Sequence, residues 1–123
     1  MNSSSKKLGI IGETIACNYL IENGYEIIER NWRFKKYEID IIAKTNDAII
    51  VIEVKTRKSA NFGQPEDFVS IAQQKYLTQA INEYVVKNNI NLDCMFDVIS
   101  IVINENKQPI LNHLKNAFYP TLK

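Results

Sequence analysis

Two runs of Ile and Val carry charges where a sheet should be apolar: Glu38-Ile39-Asp40-Ile41-Ile42, and Ile50-Val51-Ile52-Glu53-Val54-Lys55. A charge inside a sheet is costly unless it is paired or holds a metal. Side chains alternate along a strand, so Glu38, Asp40 and Ile42 should share one face, and Val51, Glu53 and Lys55 one face of the next strand. Thr45-Asn46-Asp47 lies between the runs and is a hairpin signal, weaker than Asn-Gly. With Asn46-Asp47 as a two-residue loop, Asp40 falls opposite Glu53 and Glu38 opposite Lys55. A four-residue loop keeps that facing, whereas a three-residue loop would split the acids between faces unless a bulge restored the phase. The expectation is a common face.

Like charges directly across a strand pair cost ~0.2–1 kcal/mol, and more as water is withdrawn. A divalent cation removes that penalty, and oxygen ligands suit Mg²⁺ or Mn²⁺. A lysine beside them, Lys55, could hold an attacking water or a developing oxyanion. Metal, carboxylates and lysine together suit hydrolysis of a phosphodiester. The same spacing also suits an ordinary Glu38–Lys55 ion pair, with Asp40 and Glu53 solvated on an open face.

These residues need elements to position them. Leu8, Ile11, Ile15 and Tyr19 recur at helical spacing, which predicts a helix over 8–23 stopped by Gly24. Gly12 and Ala16, one turn apart, would let it approach a sheet closely, and Glu13 sits at the border of the apolar stripe. Strands are expected over 25–34, 37–44 and 48–56, followed by a loop with Gly63 and Pro65. Ser70-Ile71-Ala72-Gln73 reads as a capping box opening a helix to about residue 88, with Ala72, Tyr76, Leu77, Ala80, Ile81 and Tyr84 as its apolar face. A strand from Phe96 to Ile103 and another over 108–118 complete an α-β-β-β-α-β order with one extra strand. That is an α/β fold with one mixed sheet flanked by helices.

The 123 residues fit one domain, taken as 8–119 after a polar, flexible 1–7, and large enough for a core without disulfide staples. The net charge of +1 gives no global basic field, so any nucleic-acid contact must be a local patch. Cys17 and Cys94 have no metal-type spacing and read as buried free thiols. No apolar run is long enough to span a bilayer and no signal-type segment opens the chain, so the cytoplasm is expected, with no membrane partner. The lone His113 and the scattered cysteines argue against zinc and against a Cys–His nucleophile. No Gly-rich phosphate loop is present, which argues against nucleoside-triphosphate hydrolysis.

The order of motifs resembles the PD-(D/E)XK nuclease superfamily, and more closely the YraN-like family of uncharacterised bacterial proteins, related to archaeal Holliday-junction resolvases. The resemblance rests on Gly9-Ile10-Ile11-Gly12-Glu13, Arg30-Asn31-Trp32-Arg33, Glu38-Ile39-Asp40-Ile41-Ile42-Ala43 and Glu53-Val54-Lys55-Thr56-Arg57. Phe62-Gly63, Lys75 and Phe96-Asp97-Val98 also fall in family order. It implies a restriction-endonuclease-like core, Asp40 and Glu53 as ligands of Mg²⁺ or Mn²⁺, and Lys55 as the catalytic lysine. Glu13 would be an accessory acid from the first helix, and Glu38 is counted with the catalytic acids. Two positions depart from the family pattern: Tyr37 where Gly usually precedes the acidic motif, and Met95 where Arg is frequent.

Arg30, Arg33, Lys35, Lys36, Arg57, Lys58 and Lys75, with Trp32 and Phe34 interleaved, are the candidate nucleic-acid contacts. Solvated strand ends explain the same charges. Asp97 is expected to be a hydrogen-bonded structural acid, and His113 a surface or packing residue. The functional expectation is a metal-dependent endonuclease acting on DNA, branched or damaged DNA included. The alternative is a module on a nuclease fold that binds nucleic acid or a protein without cutting. Relatives acting on symmetric junctions are dimers, so a homodimer is also an expectation from the resemblance.

Overall fold

The computed structural model describes residues 3–58, 69–104 and 107–118, with side chains from Lys6 onward. The loop around Phe62-Gly63 and Pro65 lies outside the described residues. The elements are α1 (Ser3–Glu22), β1 (Glu26–Phe34), β2 (Tyr37–Lys44), β3 (Ala48–Arg57), α2 (Ile71–Lys87), β4 (Asp93–Val102) and β5 (Ile110–Phe118). The five strands form one sheet in the order β1-β2-β3-β4-β5. Only the β3–β4 pair is parallel; the other three pairs are antiparallel. A parallel pair needs a crossover, and α2 lies in that connection. The order and the mixed sheet match the expected α/β architecture.

The two helices cover opposite faces of the sheet. On one face α2 contributes Leu77, Ala80, Ile81 and Tyr84 to a cluster with Ile42, Ile49, Val51, Phe96 and Val98. On the other, α1 contributes Ala16, Cys17 and Leu20 to a cluster with Ile41, Ile50, Ile52, Ile99 and Ile101. Each strand of the centre is therefore buried on both sides, which explains its nearly unbroken Ile and Val.

The buried stripe of α1 differs from the expected one. Gly12, Ala16 and Leu20 face the sheet, while Ile11 is 48% exposed. The cause is distance: a Cβ at Gly12 would lie 2.8 Å from Thr56 Cβ and overlap the Thr56 hydroxyl. Only a residue without a side chain lets α1 settle on β3 there, and the larger Ile11 turns outward. The stop at Gly24 is as expected, with φ 90° and the last turn closed by the Gly24 and Tyr25 amides donating to Ile21 and Leu20 carbonyls.

On α2 the expected apolar face loses its first turn, because Ala72 and Tyr76 are exposed. Half of the capping box is present: Ser70 Oγ accepts the Gln73 amide at 3.1 Å. The Gln73 side chain does not return to the cap; it goes to the sheet, as described below.

Candidate active site

The β2–β3 hairpin turns through Asn46-Asp47, with the Thr45 amide donating to the Ala48 carbonyl at 2.9 Å. The ladder runs from Lys44↔Ile49 to Ile41↔Ile52, the register of a two-residue loop. Its next step would oppose Asp40 and Glu53, but backbone pairing stops there. The Asp40 carboxylate bridges the gap instead: Oδ2 accepts the Val54 N–H at 2.9 Å. Glu38 does not pair with Lys55 as expected. It stands across β1 from Arg33, at 3.9 Å, on an exposed edge where such pairs contribute about 0–1 kcal/mol.

Alternation breaks around Asp40, which places it between the two helical layers. Ile39 packs with the α2 cluster, whereas Ile41, two residues on, packs with the α1 cluster. The facing strand changes phase too. Arg30 reaches Glu13 of α1, yet Trp32 packs edge-on against Tyr84 of α2, and Asn31 between them has a φ of 53°.

Glu53 is 5% exposed and sits on the α2 side of β3. Its Oε2 accepts from Gln73 Nε2 at 2.8 Å, and its Oε1 is buried with no hydrogen-bond partner among the described residues. Burial pushes its carboxyl well above the ordinary carboxylate range, the charge of Asp40 adds to this, and Lys55 pulls against it. Lys55 is two residues along the same face of β3 and half-buried. Glu13 is 17% exposed in its side chain and lies 3.9 Å from Arg30. Its carboxyl is also raised, first by burial and then by Asp40, with Asn31 and Arg30 working against the shift. The four expected residues Glu13, Asp40, Glu53 and Lys55 are thus brought into one electrostatic neighbourhood, joined from a distance by Glu38 through its effect on Glu13.

Gln73 is the contact that the sequence reading missed. A glutamine three residues after a serine cap fits a capping box by itself, so nothing in that segment advertises a second destination. The signal lay in Glu53: a buried acid in β3 requires a donor, and α2 shares one core cluster with Ile49 and Val51 on that face.

These facts bear on a cation. The Asp40 and Glu53 carboxyls stand together, and one buried Glu53 oxygen lacks a hydrogen-bond partner among the described residues. Asp40 and Glu53 therefore fit a hard divalent ion. Among the described residues no group of three or more His, Cys, Asp or Glu is arranged to hold one. Mg²⁺ commonly takes one or two carboxylates and fills its remaining positions with water and phosphate oxygens, so two suffice.

In the metal-free chain the raised Glu53 carboxyl has a consequence for stability. The folded state holds its proton more tightly than the unfolded chain, where the ordinary value is 4.5. The stabilisation is complete below that value and is lost as pH rises through the folded-state pKa. Its slope is at most about 1.4 kcal/mol per pH unit. In chelator, wild type should lose melting temperature as pH rises from 4.5, and Glu53→Gln should flatten that fall. Parallel curves for the two proteins would contradict the assignment.

The basic candidates divide. Lys35 and Lys36 form the β1–β2 turn, with their ammonium groups 5.3 Å from the Phe34 ring centre and 6.0 Å from that of Tyr37. Lys58 and Lys75 are exposed and Arg57 is half-buried. Arg30 and Arg33 each stand beside an acid, Glu13 and Glu38. The strand polarities put residues 30–36, 37–40 and 53–58 at one end of the sheet, where α2 begins. Trp32 and Phe34, expected to interleave with the charges, instead pack against the α2-side core, stacked on one another 6.3 Å apart.

Asp97 is structural, as expected, and His113 is not on the surface. Their side chains are 2% and 5% exposed and meet at 2.7 Å through His113 Nε2. His113 Nδ1 is 2.8 Å from the Tyr19 hydroxyl, and Asp97 Oδ1 accepts the Asn116 N–H at 3.0 Å. Cys17 is buried, Cys94 half-buried, and both are free thiols.

Comparison with known proteins sets this geometry in a family. Residues 12–101 match the model of uncharacterised protein family UPF0102. The chain belongs to that family. A UPF0102 protein of Flavobacterium psychrophilum is 45% identical over 112 residues, covering 91% of this chain and 93% of that one. One from Clostridioides difficile is 42% identical, covering 94% and 99%. The YraN-like resemblance is borne out by these matches, and the mixed five-stranded sheet with its two helices is compatible with a restriction-endonuclease-like core. A solved structure of Pyrococcus furiosus SfsA in complex with Ca²⁺ is similar at a TM-score of 0.43 and 12% identity. This chain covers 63% of that one, which covers 90% of it in return. Among the described residues no helix is long and apolar enough to cross a membrane.

Proposed function

We propose that this chain is a Mg²⁺- or Mn²⁺-dependent endonuclease that hydrolyses DNA phosphodiesters. The observation that carries the reading is the Asp40–Glu53 pair, with a buried Glu53 Oε1 that has no hydrogen-bond partner among the described residues and Lys55 beside it. Asp40 and Glu53 would hold the ion, which when bound supplies Lewis-acid polarisation of the scissile phosphate. Val54 N–H and Gln73 fix the two carboxylates in place, each through one oxygen. Lys55 supplies a positive charge at the site, suited to orienting a water and to stabilising the charge that develops on phosphate oxygens. Lys35, Lys36, Lys58 and Lys75 would carry the backbone of the nucleic acid. Glu13, already beside Arg30, is the accessory acid.

A second reading, binding without cutting, is favoured by one observation: no third acid completes the pair among the described residues. One experiment separates the two. Linear, single-stranded, flapped and four-way DNA are offered to wild type and Asp40→Asn, with and without Mn²⁺. Cleavage by wild type alone, and only with the ion, supports the nuclease. Salt-sensitive binding with no cleavage supports the second reading, and neither binding nor cleavage removes both.

A further inference from the structure

Tyr37 and Tyr76 come from different elements, the start of β2 and the first turns of α2, and their rings stack 4.1 Å apart at 17°. Tyr76 is 40% exposed, unlike the other large aromatics of the core, Phe96 and Tyr84. The stack stands beside the candidate active site along both elements, β2 and α2. Tyr37 is three residues before Asp40 on β2, and Tyr76 is three residues after Gln73, whose amide touches Glu53. One cation stands beside it, Lys36 Nζ at 6.0 Å from the Tyr37 ring centre, while Lys35 in the same turn stands over Phe34 and the exposed Lys75 precedes Tyr76 in sequence. Trp32 and Phe34 are half-buried against the α2-side core. An exposed aromatic backed by a second ring with an ammonium group beside it suits the flat face of a nucleobase next to its phosphates. A base inside a duplex has both faces covered by its neighbours and cannot use such a surface. A base in a single strand or at a branch can.

We infer that Tyr76, backed by Tyr37, is a stacking platform for an unpaired base, and that it makes this protein prefer single-stranded or branched DNA to continuous duplex. The inference rests on the nucleic-acid reading above, naming the form of substrate that the same site takes. Tyr37 is a positioning residue that holds the Tyr76 ring, and Lys36 is the charge beside it. The platform does not touch the proposed metal ligands.

The test uses binding alone, in chelator, so that cleavage plays no part. Affinities of labelled single-stranded and duplex oligonucleotides are measured by fluorescence anisotropy at one salt concentration. Wild type should bind the single strand more tightly. Tyr76→Ala should weaken single-strand binding by about 5- to 100-fold and leave duplex binding nearly unchanged. Tyr76→Phe should keep the preference, and Tyr76→Leu, which retains apolar bulk without a π-face, should lose it. Circular dichroism and thermal melting check that each variant is folded. A 2-aminopurine base in the single strand should be quenched on binding wild type and not on binding Tyr76→Ala. Equal losses on both DNA forms, or no loss on either, overturn the platform and leave the nuclease reading standing. No DNA binding by wild type in any form overturns the platform together with the nucleic-acid reading.

Discussion

Lys55→Ala should lower Mg²⁺-dependent DNA cleavage by about 10²–10³-fold, mainly in kcat. Lys55 is half-buried on the same face of β3 as Glu53, and its charge already opposes the rise in the Glu53 carboxyl. Its removal takes away the positive charge at the site and leaves Glu53 still harder to ionise, so that an ion must compete with a proton for it. The first effect falls on the chemical step and the second on metal affinity, so the rates are compared at saturating Mg²⁺. DNA affinity measured in chelator should change little, since the proposed backbone contacts are shared among the exposed Lys35, Lys36, Lys58 and Lys75. Lys55→Arg should not restore the rate, because a planar guanidinium cannot occupy the space of a compact ammonium. Single-turnover cleavage at saturating enzyme makes the measurement. A variant as fast as wild type would place the activity elsewhere or assign it to a contaminating nuclease.

Asp97→Ala should cost about 3–5 kcal/mol of folding stability. The carboxylate receives His113 Nε2 at 2.7 Å and the Asn116 N–H at 3.0 Å, with its own side chain 2% exposed. Asp97 lies where the β4–β5 register shifts, between Phe96↔Phe118 and Val98↔Leu114, so it fills the irregularity with hydrogen bonds. Its loss orphans the buried His113 ring nitrogen and the Asn116 N–H, and releases the ring that joins β5 to Tyr19 of α1. Asp97→Asn keeps an oxygen acceptor and should cost less. Urea denaturation of the three proteins reads the difference, and a loss under about 1 kcal/mol for Asp97→Ala would show that the network contributes little. Cleavage per folded molecule should be unaffected, which separates this cluster from the Asp40–Glu53 pair.

Much of the site was legible because it sits in one hairpin. Asn46-Asp47 specified a two-residue turn, the turn specified the register, and the register brought Asp40 and Glu53 to adjacent positions. What was not legible came from elements far apart in sequence. Gln73 satisfied a local capping pattern and then used its amide on β3. Tyr76 fell at a helical spacing that suits burial, but the first turn of α2 overhangs the end of the sheet, where Tyr37 is its only aromatic neighbour among the described residues. His113 read as a surface or packing residue because its acid lies on the neighbouring strand, across a register shift that no local rule foretells. The phase change around Asp40 was hidden for the same reason: it accompanies the left-handed Asn31 on β1, and strict alternation is the default without that information.

The lone parallel pairing also favours an order of assembly. β1, β2 and β3 are joined by short turns and can meet through local contacts, whereas β4 must wait for the chain between to close a large loop and dock α2. The two acids therefore confront each other early, before the layer that dries them has arrived. The nascent hairpin carries its electrostatic burden while still wet and screened, and the later closure of the sheet turns a mild repulsion into the poised one found in the native state.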